Sequence, residues 1–231
     1  MTEPFSPAEL DALRLSLDVA TRSVLLSLPL AVLAAWALTR TRFPGRALLD
    51  ALVHLPLVLP PVAVGYLLLV LFGTRGPIGG WLHRSLGIQL AFTTAGAALA
   101  TAVMTFPLMV RSIRIALENV DRGLEAAART LGAGPIDRFF TISLPLMLPG
   151  ILAGAITAFA AGLGEFGAVI TFAANVPGET RTLPIALYTE MQSPAGDLPA
   201  ARLAALSIAL GLTGLLLSEL LNRRVRRFLG R

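Results

Sequence analysis

Residues Phe139 to Gly164 read FFTISLPLMLPGILAGAITAFAAGLG, twenty-six positions without a charge. A helix needs about 20 predominantly apolar residues to cross the hydrocarbon core of a bilayer, so this stretch is long enough to span one. Four further runs free of Asp, Glu and Arg flank it: Ser23 to Thr39, Ala51 to Thr74, Ser85 to Val110 and Leu203 to Ser218. The shorter ones reach spanning length once Val19, Ala20 and Leu220 are included. Composition agrees, with 55% hydrophobic and 14% charged residues and a mean hydropathy of +0.74 over 231 positions. The expected fold is an all-α polytopic transmembrane bundle of about five spans, near 19–39, 51–74, 88–110, 145–165 and 200–221. A thirteen-residue run, Phe166 to Gly178, has the length of a re-entrant piece or of an extension of the fourth span, and keeps a six-span reading open.

All nineteen basic residues are arginine. Without lysine there is no Walker A loop and no Schiff base, so ATP hydrolysis by the usual P-loop route is excluded. Without cysteine there are no disulfides, iron–sulfur clusters or thiol nucleophiles. The two histidines, His54 and His83, have no Cys, His or carboxylate partners at ligand spacing, so neither a metal site nor a catalytic residue is expected. Positive charge is retained on the cytoplasmic side of short loops. With the N-terminus outside, thirteen arginines fall inside: Arg40, Arg42 and Arg46; Arg111, Arg114, Arg122, Arg129 and Arg138; and Arg223, Arg224, Arg226, Arg227 and Arg231. Six fall outside: Arg14, Arg22, Arg75, Arg84, Arg181 and Arg202. The C-terminus is then cytoplasmic, and the basic tail 223–231 reads as an anchor to anionic lipid rather than a nucleic-acid site.

Local signals refine this picture. Ser6-Pro7-Ala8-Glu9 is a capping box with proline at the first helical position, so residues 1–15 are expected to form an amphipathic interfacial helix ahead of the first span. The start, Met1 to Leu17, lacks a basic n-region, so no signal peptide is expected. Pro29, the Pro56/Pro60/Pro61 group, Pro107, Pro145 and Pro149 predict kinks. Gly150, Gly154, Ala158 and Gly162 form a small-residue ridge, read either as packing within the subunit or as a dimer seam. In the long loop, Glu125 to Leu131 is an alanine-rich helix, Gly132 and Gly134 are left-handed cap candidates, and Pro135 starts a second helix carrying Ile136, Phe139 and Phe140. By physics alone this helix-turn-helix is a partner-docking element or a plain interfacial loop.

The same loop, with Gly132 followed after nine residues by Ile142-x-Leu144-Pro145, resembles the EAA loop of binding-protein-dependent ABC importer permeases. Glu125 stands one residue further from Gly132 than in the usual EAA-x3-G spacing. Ala126 takes the aligned place, and the motif lends no support to a salt bridge at Glu125. Phe43-Pro44-Gly45, His54 to Val62, Phe106 to Arg111, Leu163 to Ala168 and Asn175 to Thr182 look like the membrane subunit of molybdate importers, from about Ser16 to Leu221. The resemblance implies a type I ABC importer permease domain over 16–222. Its cytoplasmic loop, 118–145, would couple to a separate ATPase through Glu125, Ala126, Ala127, Arg129, Gly132, Ile142, Leu144 and Pro145. Implied partners are two ABC ATPase subunits holding ATP and Mg, a second permease copy, a periplasmic or lipoprotein molybdate-binding protein, and the lipid of a bacterial plasma membrane. No cofactor is expected on this chain. Sulfate permeases share the Gly-Glu-Phe-Gly element, which keeps another tetrahedral oxyanion as the alternative.

Single residues complete the reading. Glu165 lies near the outer boundary and either serves, with Glu179 and Arg181, the outer gate and binding-protein contact, or pairs with Arg181 or caps a turn between Gly164 and Gly167. His54 is expected to bond Asp50 or a carbonyl freed by proline. Ser27, Thr94, Thr105 and Thr157 are the pathway candidates. A channel or secondary transporter would need intramembrane charge pairs or an inverted repeat, and an intramembrane enzyme a nucleophile with its base; neither is read here. The charge bias predicts that a reporter fused after Arg231 stays cytoplasmic, while one inserted at Gly76 or Gly178 is exported. A cytoplasmic signal from Gly178 would overturn the five-span topology.

Overall fold

The computed structural model describes residues 6–194 and 196–228, with residues 122, 215, 217–219 and 221–228 described as backbone only. The described residues form α1 (Pro7–Arg40), α2 (Arg46–Val58), α3 (Pro61–Phe72), α4 (Pro77–Leu86), α5 (Thr94–Glu118), α6 (Arg122–Thr130) and α7 (Pro135–Arg138). A π-helical turn (Phe139–Ser143) follows, then α8 (Leu144–Leu163), α9 (Gly167–Phe172), α10 (Leu183–Met191) and α11 (Asp197–Phe228). Residues 1–5 of the expected amphipathic segment lie outside the described residues, as do the side chains of the basic tail.

The capping box is formed: the Ser6 backbone N–H donates to Glu9 Oε2 at 2.6 Å, and the Glu9 N–H donates to Ser6 Oγ at 3.3 Å. The helix it starts leads straight into the first span. Nothing breaks the chain between Pro7 and Arg40, and α1 is one helix of 34 residues, about 51 Å long at 1.5 Å per residue. Its first turns pack on protein: Glu9 and Ala12 are buried, and Ser16 Oγ accepts the Leu183 N–H at 2.7 Å.

The two ends of the bundle follow from contacts between distant residues. Arg40, closing α1, donates to the carbonyls of Leu117 and Val120, closing α5, so these helices run parallel with their C-termini together at what we term the loop end. The chain between them must therefore return. It does so through α2 and α3, bent by 119°. Arg114 of α5 holds Asp50 of α2 at 2.6 Å at the loop end, while Gly65 of α3 lies against Ala168 and Thr171 at the far end. The expected second span, 51–74, is thus a broken one. Pro60 and Pro61 lack N–H donors, and the residue before a proline is pushed out of the helical region; Leu59 accordingly has ψ 144°. Pro29, Pro107 and Pro149 sit inside α1, α5 and α8 without ending them.

Among the described residues, three unbroken helices are long and apolar enough to cross a membrane: Pro7–Arg40, Thr94–Glu118 and Pro135–Leu163. Counted as one span, the bent pair makes a fourth. The remaining expected span, 200–221, falls within α11, which starts at the far end, where Leu203 packs with Ala12 and Leu183, and runs beside α8. The Phe166 to Gly178 run forms only the six-residue α9, folded against α3 and α5, and a turn.

The small-residue ridge faces inward. Gly150 lies on Ala116, Gly154 on Met109 and Ser112, and Gly162 on Thr101 and Ala20, so the ridge seats α8 against α5 and α1. It is packing within the subunit. Small residues let helices approach closely where lipid tails offer no hydrophobic drive for association. A methyl group at Gly150 would overlap that of Ala116, whereas one at Gly211 meets nothing within 4 Å. Gly150→Ala is therefore expected to cost about 1–3 kcal/mol, and Gly211→Ala to be near neutral, in thermal unfolding in detergent.

Candidate functional site

At the loop end, Asp121 caps α6 by accepting the Gly123 N–H at 2.7 Å, which starts the helix at Arg122 rather than at Glu125 as expected. Gly132 has φ +91°, the left-handed conformation expected of it. Gly134 does not; at φ −67° and ψ 168° it is extended and leads into α7, where Pro135 takes the first turn. α7, the π turn and α8 then run on as one rod. The π turn has a local cause: a proline ring clashes with the carbonyl four residues back. Upstream of Pro145 the chain opens to a five-residue bond, Leu144 N–H to the Phe139 carbonyl, instead of the four-residue α pattern. Ile142 lies in this turn, and Leu144 packs on the core of α1, α5 and α8.

Glu125, which the motif spacing left unsupported, is held firmly. Its Oε1 lies 3.3 Å from Arg40 Nη2 and accepts Ser143 Oγ at 2.7 Å. One carboxylate thereby ties α6 to the ends of α1 and of the π turn. Arg40 is only 9% exposed, and the same Nη2 also donates to Leu117 and Val120. Ala126, in the motif position, and Ala127 face outward, as does Arg129. Around them stand Leu131, Ile136 and Phe140, with 88%, 74% and 60% exposure. Exposed large apolar side chains thus stand near the three consecutive alanines of α6, Ala126 to Ala128.

At the far end, Glu165 caps α9: its Oε1 accepts the Ala168 N–H at 2.9 Å. Arg181 pairs elsewhere, its Nε donating to Asn175 Oδ1 at 2.7 Å. Thr180, fully buried, bonds Val176 and Ala174 and closes the 174–181 turn, which Thr94 Oγ1 pins by donating to the Glu179 carbonyl at 2.7 Å. Glu165, Glu179 and Arg181 thus sit at one end, but not as one charge cluster. Ala174 at φ +63° and Phe92 at φ +65° carry left-handed backbone that nothing in the sequence signalled.

The pathway candidates separate. Ser27 and Thr105 are buried, and their hydroxyls donate to the carbonyls of Ser23 and Thr101 four residues back, so as placed they face their own helices. Thr94 is occupied with the far-end turn, and Thr157 is exposed. His54 Nδ1 lies 2.9 Å from the Asp50 carbonyl, as expected. Among the described residues no group of three or more His, Cys, Asp or Glu converges on a metal position.

The chain matches the family described as "binding-protein-dependent transport system inner membrane component" over residues 27–227. It is 58% identical over its whole length to the molybdenum transport system permease protein ModB of Escherichia coli (strain K12), covering 99% of that protein. The Haemophilus influenzae ModB is 52% identical, with 96% of this chain and 97% of that one aligned. A probable sulfate transport system permease protein cysT of Nephroselmis olivacea is 34% identical over 97% of this chain and 78% of its own. Among solved structures, a bacterial alginate ABC transporter in complex with alginate pentasaccharide-bound periplasmic protein shares the fold, with a TM-score of 0.76 at 17% identity over 95% of this chain and 80% of that one.

Removing the Glu125 carboxylate leaves Arg40 with backbone carbonyls alone and Ser143 without its acceptor. Glu125→Ala is expected to cost on the order of 2 kcal/mol in detergent unfolding. Glu118→Ala, removing a 54% exposed carboxylate 3.8 Å from Arg114, should stay within about 0.5 kcal/mol.

Proposed function

The chain belongs to the family of binding-protein-dependent transport system inner membrane components, and on that premise we propose that it is the membrane subunit of an ATP-driven importer of molybdate, and of tungstate with it. The relatives support the substrate: molybdenum permeases are 58% and 52% identical to this chain, the sulfate permease 34%. The observation that carries the mechanism is the loop end, where exposed Leu131, Ile136 and Phe140 stand near the three consecutive alanines of α6, a helix tied to the bundle by Glu125.

In this reading the loop end is cytoplasmic, the N-terminus outside and the C-terminus inside, as the arginine bias supports. α6 enters a cleft of an ABC ATPase, with Ala126 and Ala127 allowing close backbone approach and Arg129 setting register. Two ATPase copies serve two permease copies and bind the ATP and Mg, since this chain has no lysine for a Walker A loop. ATPase closure pushes α6. The push reaches the spans through Arg40 and Ser143 and along the rod from α7 to α8. The two permease copies enclose the pathway, which opens alternately to either side. A soluble molybdate-binding protein delivers the anion to the turn around Glu165, Glu179 and Arg181.

Molybdate and tungstate are tetrahedral dianions of nearly equal size, and sulfate has the same charge with shorter bonds. A passage without ordered ligands separates such ions poorly, so selection rests mainly on the binding protein. Vesicles holding permease, ATPase and binding protein should accumulate molybdate, with tungstate competing strongly and sulfate weakly. Sulfate competing as well as tungstate would assign the assembled importer to sulfate instead.

A further inference from the structure

Beside α6 lies a cavity of about 570 Å³ to which the proposed cycle assigns no ligand. Arg40, Arg42, Arg46, Arg129 and Arg138 line it against two carboxylates, Glu118 and Glu125. Guanidinium groups stay protonated in proteins, so the wall is strongly positive. Two residues that line it each carry a buried donor without an acceptor: Arg40 Nε, on a side chain more than nine-tenths buried, and Thr39 Oγ1. Unsatisfied buried donors are costly, and each such group in a folded protein calls for a partner. The carboxylates present do not supply it. Glu125 is engaged through Arg40 Nη2 and Ser143, and Glu118 reaches toward Arg114. Among the described residues, Arg42, Arg46 and Arg129 form no pair with a carboxylate.

We propose that this cavity binds a tetrahedral oxyanion, either a free dianion of the phosphate or molybdate type or the phosphomonoester head of a lipid. Several donors converging from different segments match an ion with four acceptor oxygens, and arginine forks suit such oxyanions in particular. Thr39 and Arg40 line it from the end of α1; Arg42 and Arg46 line it from the α1–α2 connection, and Arg129 and Arg138 from the loop. The site rests on the proposed function only for its assignment to the cytoplasmic side.

The test is calorimetric titration of the full-length permease in phosphatidylcholine nanodiscs, without ATPase, binding protein or nucleotide, using inorganic phosphate and then molybdate. One equivalent per permease chain is expected, with affinity about 10-fold or more weaker in Arg42→Gln/Arg46→Gln, largely kept in Arg42→Lys/Arg46→Lys, and unchanged in Arg84→Gln at the far end. Nanodiscs containing phosphatidic acid separate the sources. Loss of phosphate binding there assigns the site to a lipid headgroup, and undiminished binding assigns it to the free anion. No binding of either anion in phosphatidylcholine, or binding indifferent to Arg42→Gln/Arg46→Gln, would overturn the proposal. Failure of molybdate uptake in vesicles would leave this titration untouched, because it is read without transport.

Discussion

The close approach of α8 to α5 is the constraint from which the other arrangements follow. Gly150, Gly154 and Gly162 each admit a neighbouring helix to a distance at which a side chain would collide or force its neighbour aside. In lipid, where burying leucine against leucine gains little over leaving it among acyl chains, such contact is what gives a helix bundle its shape. With α8 seated antiparallel on the parallel pair α1 and α5, the ends of three spans meet beside α6. Arg40, Leu117, Val120 and Ser143 are neighbours there because of that packing.

The chemistry of that meeting point depends on arginine. One nitrogen of Arg40 serves two carbonyls and a carboxylate, while its Nε is buried without an acceptor. A lysine ammonium is a compact charge without this planar spread of donors, and it loses its proton more readily when buried. At the buried Arg40 position arginine keeps its positive charge where a lysine would be prone to neutralise.

Much of this was legible in the residues themselves. The charge-free runs mark the spanning material, the capping box sets the start of α1, and Gly132 turns where a glycine after an alanine helix is expected to turn. The Pro60–Pro61 pair announces a break but not its 119° angle, which depends on what α3 meets beyond it, namely Ala168 and Thr171 across from Gly65. The Glu125–Arg40 contact was not legible, because its partners are far apart in the chain and no local pattern joins them. Motif spacing even argued against it. Nor does sequence show whether a serine in a membrane helix faces a pathway or bonds the carbonyl four residues back; Ser27 and Thr105 do the latter. Likewise, nothing in a phenylalanine or an alanine forecasts the left-handed backbone of Phe92 and Ala174.

The π turn at Phe139–Ser143 bears on the angular phase of the rod it interrupts. In an unbroken α-helix the direction of every side chain is dictated by its place in the count, about 100° per residue. Here one turn absorbs a spare position. The glycine face of α8 can therefore point at α5 while Arg138, on α7, still lines the cavity beside Arg40. In a strict α-helix of the same sequence the two would be out of step by roughly 100°. Membrane packing and loop geometry would then compete for one rotation of the rod, whereas the wide turn gives each its own.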